Sequence, residues 1–279
     1  MREVFDRAGG RGFVHAREVD GPGEVCLDAD DPVVLASVFK IPIVLEYARQ
    51  AAAGELDRTE RITVTAADRD GGIGVDGCSD DVSLTLRDLA HLMMTLSDNA
   101  CTDVLLRRVG LERVHATLAG LGLRRTRLIG GCKELFQQVR DEVGDIAEED
   151  LTEAMARPLA VRDPGRTTSS TPREITSLLS RIWRDEAGPA EACAEVRRIM
   201  GNQVWPHRMS SGFPDGVKVS GKTGTLWGVR NEAGVVEFPD GGRYAVAVFV
   251  RTSSLGMRHP AADAAIGRAA RIAVDRLRA

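Results

Sequence analysis

Near the end of the chain, Tyr244-Ala245-Val246-Ala247-Val248-Phe249-Val250 form an unbroken apolar run. A strand of that kind is buried on both faces, so it has to lie inside a sheet with a neighbour on each side. Residues 217–226 and 231–238 also read as strands, and Pro239-Asp240-Gly241-Gly242 turns the chain into the apolar run. The other strand-like residues are at the opposite terminus. There 13–19 and 24–29 flank Asp20-Gly21-Pro22-Gly23, a hairpin by composition. The stretch between is mostly helical in period. The economical assembly is an α/β (α+β) fold in a single domain, 1–279. One five-stranded, mostly antiparallel sheet is built from both termini (about 1–50 and 211–279) with flanking helices, and a helical subdomain (about 51–210) is inserted.

Several helices announce their ends. The run after Ser37 continues through Leu45 and Tyr47 to Ala51-Ala52-Ala53, and Gly54 stops it. Pro42 has no N–H to give, so it is tolerated only near the first turn, which places Ser37 at or just before the helix N-terminus. Thr85 with Asp88 three residues later resembles a capping box, and Leu86, Leu89 and Leu96 follow at helical spacing. This helix runs into Ser97-Asp98-Asn99, and a second follows through Val104, Leu105 and Val109 to Gly110. Thr171-Pro172 opens another, with Ile175, Leu178, Leu179 and Ile182 on one face. A further helix covers roughly 190–200, and one closes the chain. Within residues 55–82 the one β-like piece is 61–64. Residues 137–166 are strongly acidic and polar and read as a long surface excursion with one helical piece around 151–155.

The net charge of −4 removes the electrostatic case for nucleic acid, which needs a basic surface. No apolar run approaches the roughly 18 residues of a membrane span. The first residues are charged and show no signal-peptide pattern. The five cysteines are scattered, without the close pairs of a zinc site. Reduced thiols in a cytoplasmic protein are the expectation, unless a leader has been removed. No metal or cofactor is expected, and the chain is expected to act as a monomer on a small molecule. His15 reads as a strand residue rather than a ligand.

Three short motifs carry chemistry. In Ser37-Val38-Phe39-Lys40, residues three apart share a helix face, so Lys40 can reach the Ser37 hydroxyl and take its proton if burial and neighbouring cations lower its pKa. In Ser97-Asp98-Asn99, between two helices, Ser97 can pass a proton to a leaving nitrogen and Asn99 can hold a substrate amide or Lys40. In Lys222-Thr223-Gly224, on a strand edge, Lys222 offers a charge for a substrate carboxylate. The N–H groups of Ser37 and Thr225 can form an oxyanion hole.

The set, in this order and over nearly the whole chain, resembles the class A β-lactamases and related penicillin-binding serine hydrolases. The resemblance implies a β-lactamase/transpeptidase-like fold and an acyl-enzyme on Ser37, formed from a β-lactam or a related amide or ester. It makes Ser37, Lys40 and Ser97 catalytic, and Asn99, Lys222, Thr223, Gly224 and Thr225 substrate-binding. Arg230, just past Lys-Thr-Gly, matches the region where family arginines help bind the substrate carboxylate, and Trp227 either lines the pocket or packs on the sheet edge. One departure stands out. Class A enzymes carry Glu-x-x-Leu-Asn, whose glutamate activates the deacylating water. The matching stretch here is Cys132-Lys133-Glu134-Leu135-Phe136. Glu134 is the nearest carboxylate and reads more readily as a surface residue. Acylation therefore carries over and fast deacylation does not. This leaves open a cytoplasmic amidase, esterase or acyltransferase, or a non-catalytic acylated sensor.

Overall fold

The computed structural model describes residues 1–146 and 150–279. Along the chain come α1 (Arg2–Arg7), β1 (Gly10–Glu18), β2 (Glu24–Leu27) and the two-residue β3 (Val33–Val34). A 3-10 turn over Ala36–Phe39 leads into α2 (Lys40–Ala52), followed by β4 (Arg61–Val64) and β5 (Val82–Thr85). The helices α3 (Leu86–Thr95), α4 (Asn99–Val109), α5 (Leu111–Gly120), α6 (Cys132–Val143) and α7 (Glu153–Ala156) precede the short β6 (Ser169–Ser170). Then come α8 (Pro172–Trp183), α9 (Ala190–Met200), β7 (Lys218–Leu226), β8 (Val229–Glu237), β9 (Arg243–Thr252) and α10 (Pro260–Arg278).

The main sheet has the order β2-β1-β9-β8-β7, antiparallel at every junction. The all-apolar run is β9, and it occupies the centre as its pattern requires. Because alternate side chains point to opposite faces, Val246, Val248 and Val250 join Phe5 of α1 and the Ala/Ile face of α10. Ala245, Ala247 and Phe249 face the helical side. On that side lies α2, whose residues from Lys40 to Ala48 are all buried. A helix apolar all round is a core element rather than a surface one, and α2 runs among α3, α4, α5 and α9. Ile41, Ile43 and Leu45 are wholly buried. Truncating any one of them to alanine costs about 2–5 kcal/mol.

Three expectations need correction. First, α8 falls within the span assigned to the helical subdomain, yet it packs on β1 and β9 of the main sheet. Its apolar face (Ile175, Leu178, Leu179, Ile182) needs a large apolar partner, and the sheet supplies it. Second, the excursion over 137–166 begins with most of α6, and residues 147–149 of it lie outside the described residues. The Glu134 carboxylate accepts the Gly131 N–H at 2.7 Å at the start of α6, while Leu135 and Val139 bury one stripe. The short α7 follows near the expected place. Third, 61–64 has an unforeseen antiparallel partner in β5.

His15 on β1 is wholly buried, with Nδ1 2.5 Å from Thr176 Oγ1 of α8. Its Nε2 lies 3.3 Å from Glu24 Oε2 and 3.0 Å from the Arg173 guanidinium. His15, Glu24 and Cys26 have the donor types of a metal site. The positive charge among them is Arg173, which bonds Glu24 at 2.8 Å and Asp30 at 2.8 Å. Burial first, and Arg173 second, push the His15 imidazole down to about 4 from 6.5. Between those values the unfolded chain binds a proton that the folded one does not. Stability should therefore fall as pH drops from about 6.5 to about 4, by on the order of 3 kcal/mol. Urea unfolding across that range should show the slope, and His15→Gln should flatten it. A slope unchanged in the variant would assign it to other groups.

Candidate active site

The three motifs converge on one cleft of about 560 Å³, lined among others by Ser37, Ser97, Asn99, Thr223 and Thr225. Ser37 lies in the 3-10 turn that feeds α2, preceded by Ala36 at φ +45°. A left-handed alanine costs about 1–3 kcal/mol and persists only where packing enforces it. Gly224 of β7 supplies that packing. A Cβ there would stand 2.7 Å from Leu35 O and 3.3 Å from Ser37 N, so only glycine lets the strand lie against the serine turn. On the far side, Asn231 donates its amide to Val34 O (2.9 Å) and Leu35 O (3.1 Å).

Lys40, the first residue of α2, is wholly buried. Its Nζ donates to Ser97 O at 2.7 Å and Asn99 Oδ1 at 2.9 Å, and lies 3.3 Å from Ser97 Oγ. Ser97 itself is at φ +67°. Asp98 between them is a buried cap, accepting from Cys101 N (2.9 Å) and Val75 N (2.6 Å), which holds the loop in place.

The strand edge is oriented by a side chain. The Thr223 N–H leaves the sheet and donates to Gln203 Oε1 at 2.9 Å. On an edge strand the outward groups recur every second residue, so the Thr225 N–H points from the same edge. The Lys222 side chain lies on the face that carries Gly224, opposite to the Thr223 and Thr225 side chains. It is wholly buried, donates to Thr223 O at 3.0 Å and does not line the cleft. Burial, Lys40 and Arg208 together hold its ammonium well below the usual lysine range. The expectation that Lys222 offers its charge directly to a ligand does not fit this placement.

The cations that do line the cleft include Arg208 and Arg230, both almost wholly buried. Arg208 donates to Asp263 (2.7 Å), Gly224 O (2.9 Å), Asn231 O (2.8 Å) and Thr225 Oγ1 (2.7 Å). Arg230 reaches the Met257 carbonyl, and its Nε is 3.7 Å from Asp263. Arg208 and Asp263 belong to no recognisable spacing motif, and only the folded chain brings them to the cleft. Trp227 is buried with Leu226, Val229 and Leu255, away from the cleft.

Cys132 begins α6. Its Sγ sits 3.2 Å from Asn99 Oδ1, the oxygen that also accepts from Lys40. Asp103 clamps it there, accepting Cys132 N at 2.6 Å and Lys133 N at 3.0 Å. Burial pushes the thiol up to about 12, so at neutral pH it is protonated and no base. Burial also pushes the Asp103 carboxyl up to about 6. Phe136, one turn on, lines the cleft with its ring. Glu134 is exposed and occupied as the α6 cap.

The model of the Beta-lactamase enzyme family matches residues 1–277. A β-lactamase regulatory protein, BlaB, of Streptomyces cacaoi is 26% identical over 301 aligned positions, covering 100% of this chain and 96% of that one. A β-lactamase of Streptomyces albus G is 27% identical, over 97% of this chain and 81% of its own. Among solved structures, a β-lactamase from Sphaerobacter thermophilus superposes with a TM-score of 0.81 at 27% identity, covering 99% of this chain and 94% of that one. With a match from end to end, Ser37, Ser97 and Asn99 lining one cleft and the buried Lys40 bonded to Ser97 and Asn99, the chain belongs to the β-lactamase enzyme family and is a serine hydrolase of the β-lactamase type.

Proposed function

We propose that β-lactams acylate Ser37 rapidly and that the resulting ester is hydrolysed slowly. The observation that carries this reading is Cys132, a protonated thiol at the place from which a carboxylate would activate water.

In the first half-reaction Ser37 Oγ attacks the lactam carbonyl carbon and its proton passes to Lys40. The N–H groups of Ser37 and Thr225 receive the oxyanion. As the C–N bond breaks, Ser97 delivers a proton to the nitrogen and recovers one from Lys40, with which it is in contact. Arg208 and Arg230 receive the ring carboxylate, and Asn99 the side-chain amide of the substrate. Gly224 keeps β7 against the serine, while Thr223 and Lys222 shape the strand beside it. All these groups come from one chain, so a monomer suffices.

The second half-reaction needs a base beside the ester. Among the described residues that line the cleft, Asp263 is the only carboxylate, and its bond to Arg208 occupies it. Cys132 donates rather than accepts, and Phe136 offers water no polar partner. A chromogenic cephalosporin should therefore give a burst close to one equivalent of opened lactam, then a slow steady rate. A linear trace without a burst, at a high rate, contradicts slow release.

A further inference from the structure

We infer that Glu232, a wholly buried carboxylate on β8, is a positioning residue that clamps one wall of the cleft and presents Arg208 to the substrate carboxylate. This rests on the acylation reading above. The wall is the segment 203–209, which joins α9 to the turn before β7 and carries three cleft residues, Trp205, His207 and Arg208. Glu232 holds both of its ends. Oε1 accepts from Gln203 Nε2 at 2.7 Å, and Oε2 accepts from the Met209 N–H at 2.6 Å. Gln203 in turn accepts the Thr223 N–H at 2.9 Å, so the same carboxylate steadies the outward edge of β7.

The geometry is economical. One planar group of two acceptors fixes a loop of seven residues at its first and last members, and a buried acid is tolerated because both oxygens are bonded. Gly221 makes room for it: a Cβ there would stand 2.8 Å from Glu232 Oε1. Arg208 directly precedes the clamped Met209, and its guanidinium spans Gly224 O, Thr225 Oγ1 and Asp263. Loosening the clamp displaces the cation while leaving Ser37, Lys40 and Ser97 in place, since none of these touches the segment through a hydrogen bond. Arg208 should then bind less well, and acylation should lose less than binding does, because Thr225 stays paired with Arg230 of β8 when the Gln203 bond to Thr223 is loosened.

The test uses the whole protein and measures acylation by penicillin G and by its methyl ester, which lacks the anionic carboxylate. In Glu232→Gln, one acceptor is lost and the buried charge is removed. The apparent dissociation constant for penicillin G should rise by about tenfold or more, and the limiting acylation rate should stay within about threefold. The methyl ester should show no such rise. Gln203→Ala should move the same constant in the same direction, and the double variant should add little to Glu232→Gln alone. If Glu232→Gln does not fold, Gln203→Ala carries the test, because it leaves the carboxylate and its Met209 bond intact. An unchanged constant, or equal losses with penicillin and ester, overturns the assignment of Glu232. Failure of the wild type to be acylated counts instead against the acylation reading.

Discussion

Replacing Ser37 by alanine should abolish covalent labelling by a fluorescent penicillin while leaving the thermal unfolding curve nearly unchanged. The hydroxyl sits half-buried at the cleft surface, and no side-chain hydrogen bond ties it to the core. Its loss should shift stability by no more than about 0.5 kcal/mol. The chemical effect is of another order. The Lys40 Nζ contacts Ser97 Oγ at 3.3 Å, and the proposed acylation step routes the proton of Ser37, the attacking hydroxyl, to that lysine. Acylation should fall by at least about a thousandfold. Labelling that survives in the folded variant would transfer the nucleophile to another residue.

The second large effect should be a gain. Cys132→Glu combined with Phe136→Asn puts a carboxylate 3 Å or so from the Asn99–Lys40 pair and replaces an apolar ring with a polar partner for water. Lys40 can then share its charge with the new carboxylate, which keeps it ionised at neutral pH. A general base positioned on water is worth about a hundredfold or more. The steady rate on a chromogenic cephalosporin should rise by that factor, and the burst should shrink. The cost is packing. Cys132 is buried, and three extra heavy atoms there should lower stability by about 1–3 kcal/mol. A folded double variant with an unchanged steady rate would mean that something other than the missing base limits release.

Much of this arrangement was legible in the linear chain, and the parts that were not share a physical reason. The central position of β9 followed from apolar residues at both parities, since neither face can meet water. Ser37 could be placed at a helix start because Pro42 cannot sit deeper, and α2 indeed begins at Lys40. The Thr85 and Thr171 caps were readable because a cap is a local bond, here to Asp88 N and Glu174 N. Arg208, Asp263 and Glu232 were not readable, because each acquires its role from partners 16 to 55 residues away. The one available signal was a charged residue directly before the apolar Ala233-Gly234-Val235-Val236 stretch of β8. Lys222 shows the opposite hazard. Its place in the motif was clear, but the direction of its side chain depends on strand parity. That parity is set by the Gln203–Thr223 bond and the pairing with Ala233.

The central claim is that this chain makes the acyl-enzyme and lacks the means to release it quickly. Intact mass measured over time after mixing with one equivalent of penicillin G tests it most directly. The expected result is near-complete conversion to a species heavier by one whole penicillin, carried on Ser37 and persisting for minutes or longer after free drug is exhausted. Rapid disappearance of the adduct with stoichiometric penicilloic acid in solution would contradict the account and show that a base other than a residue at position 132 prepares the water.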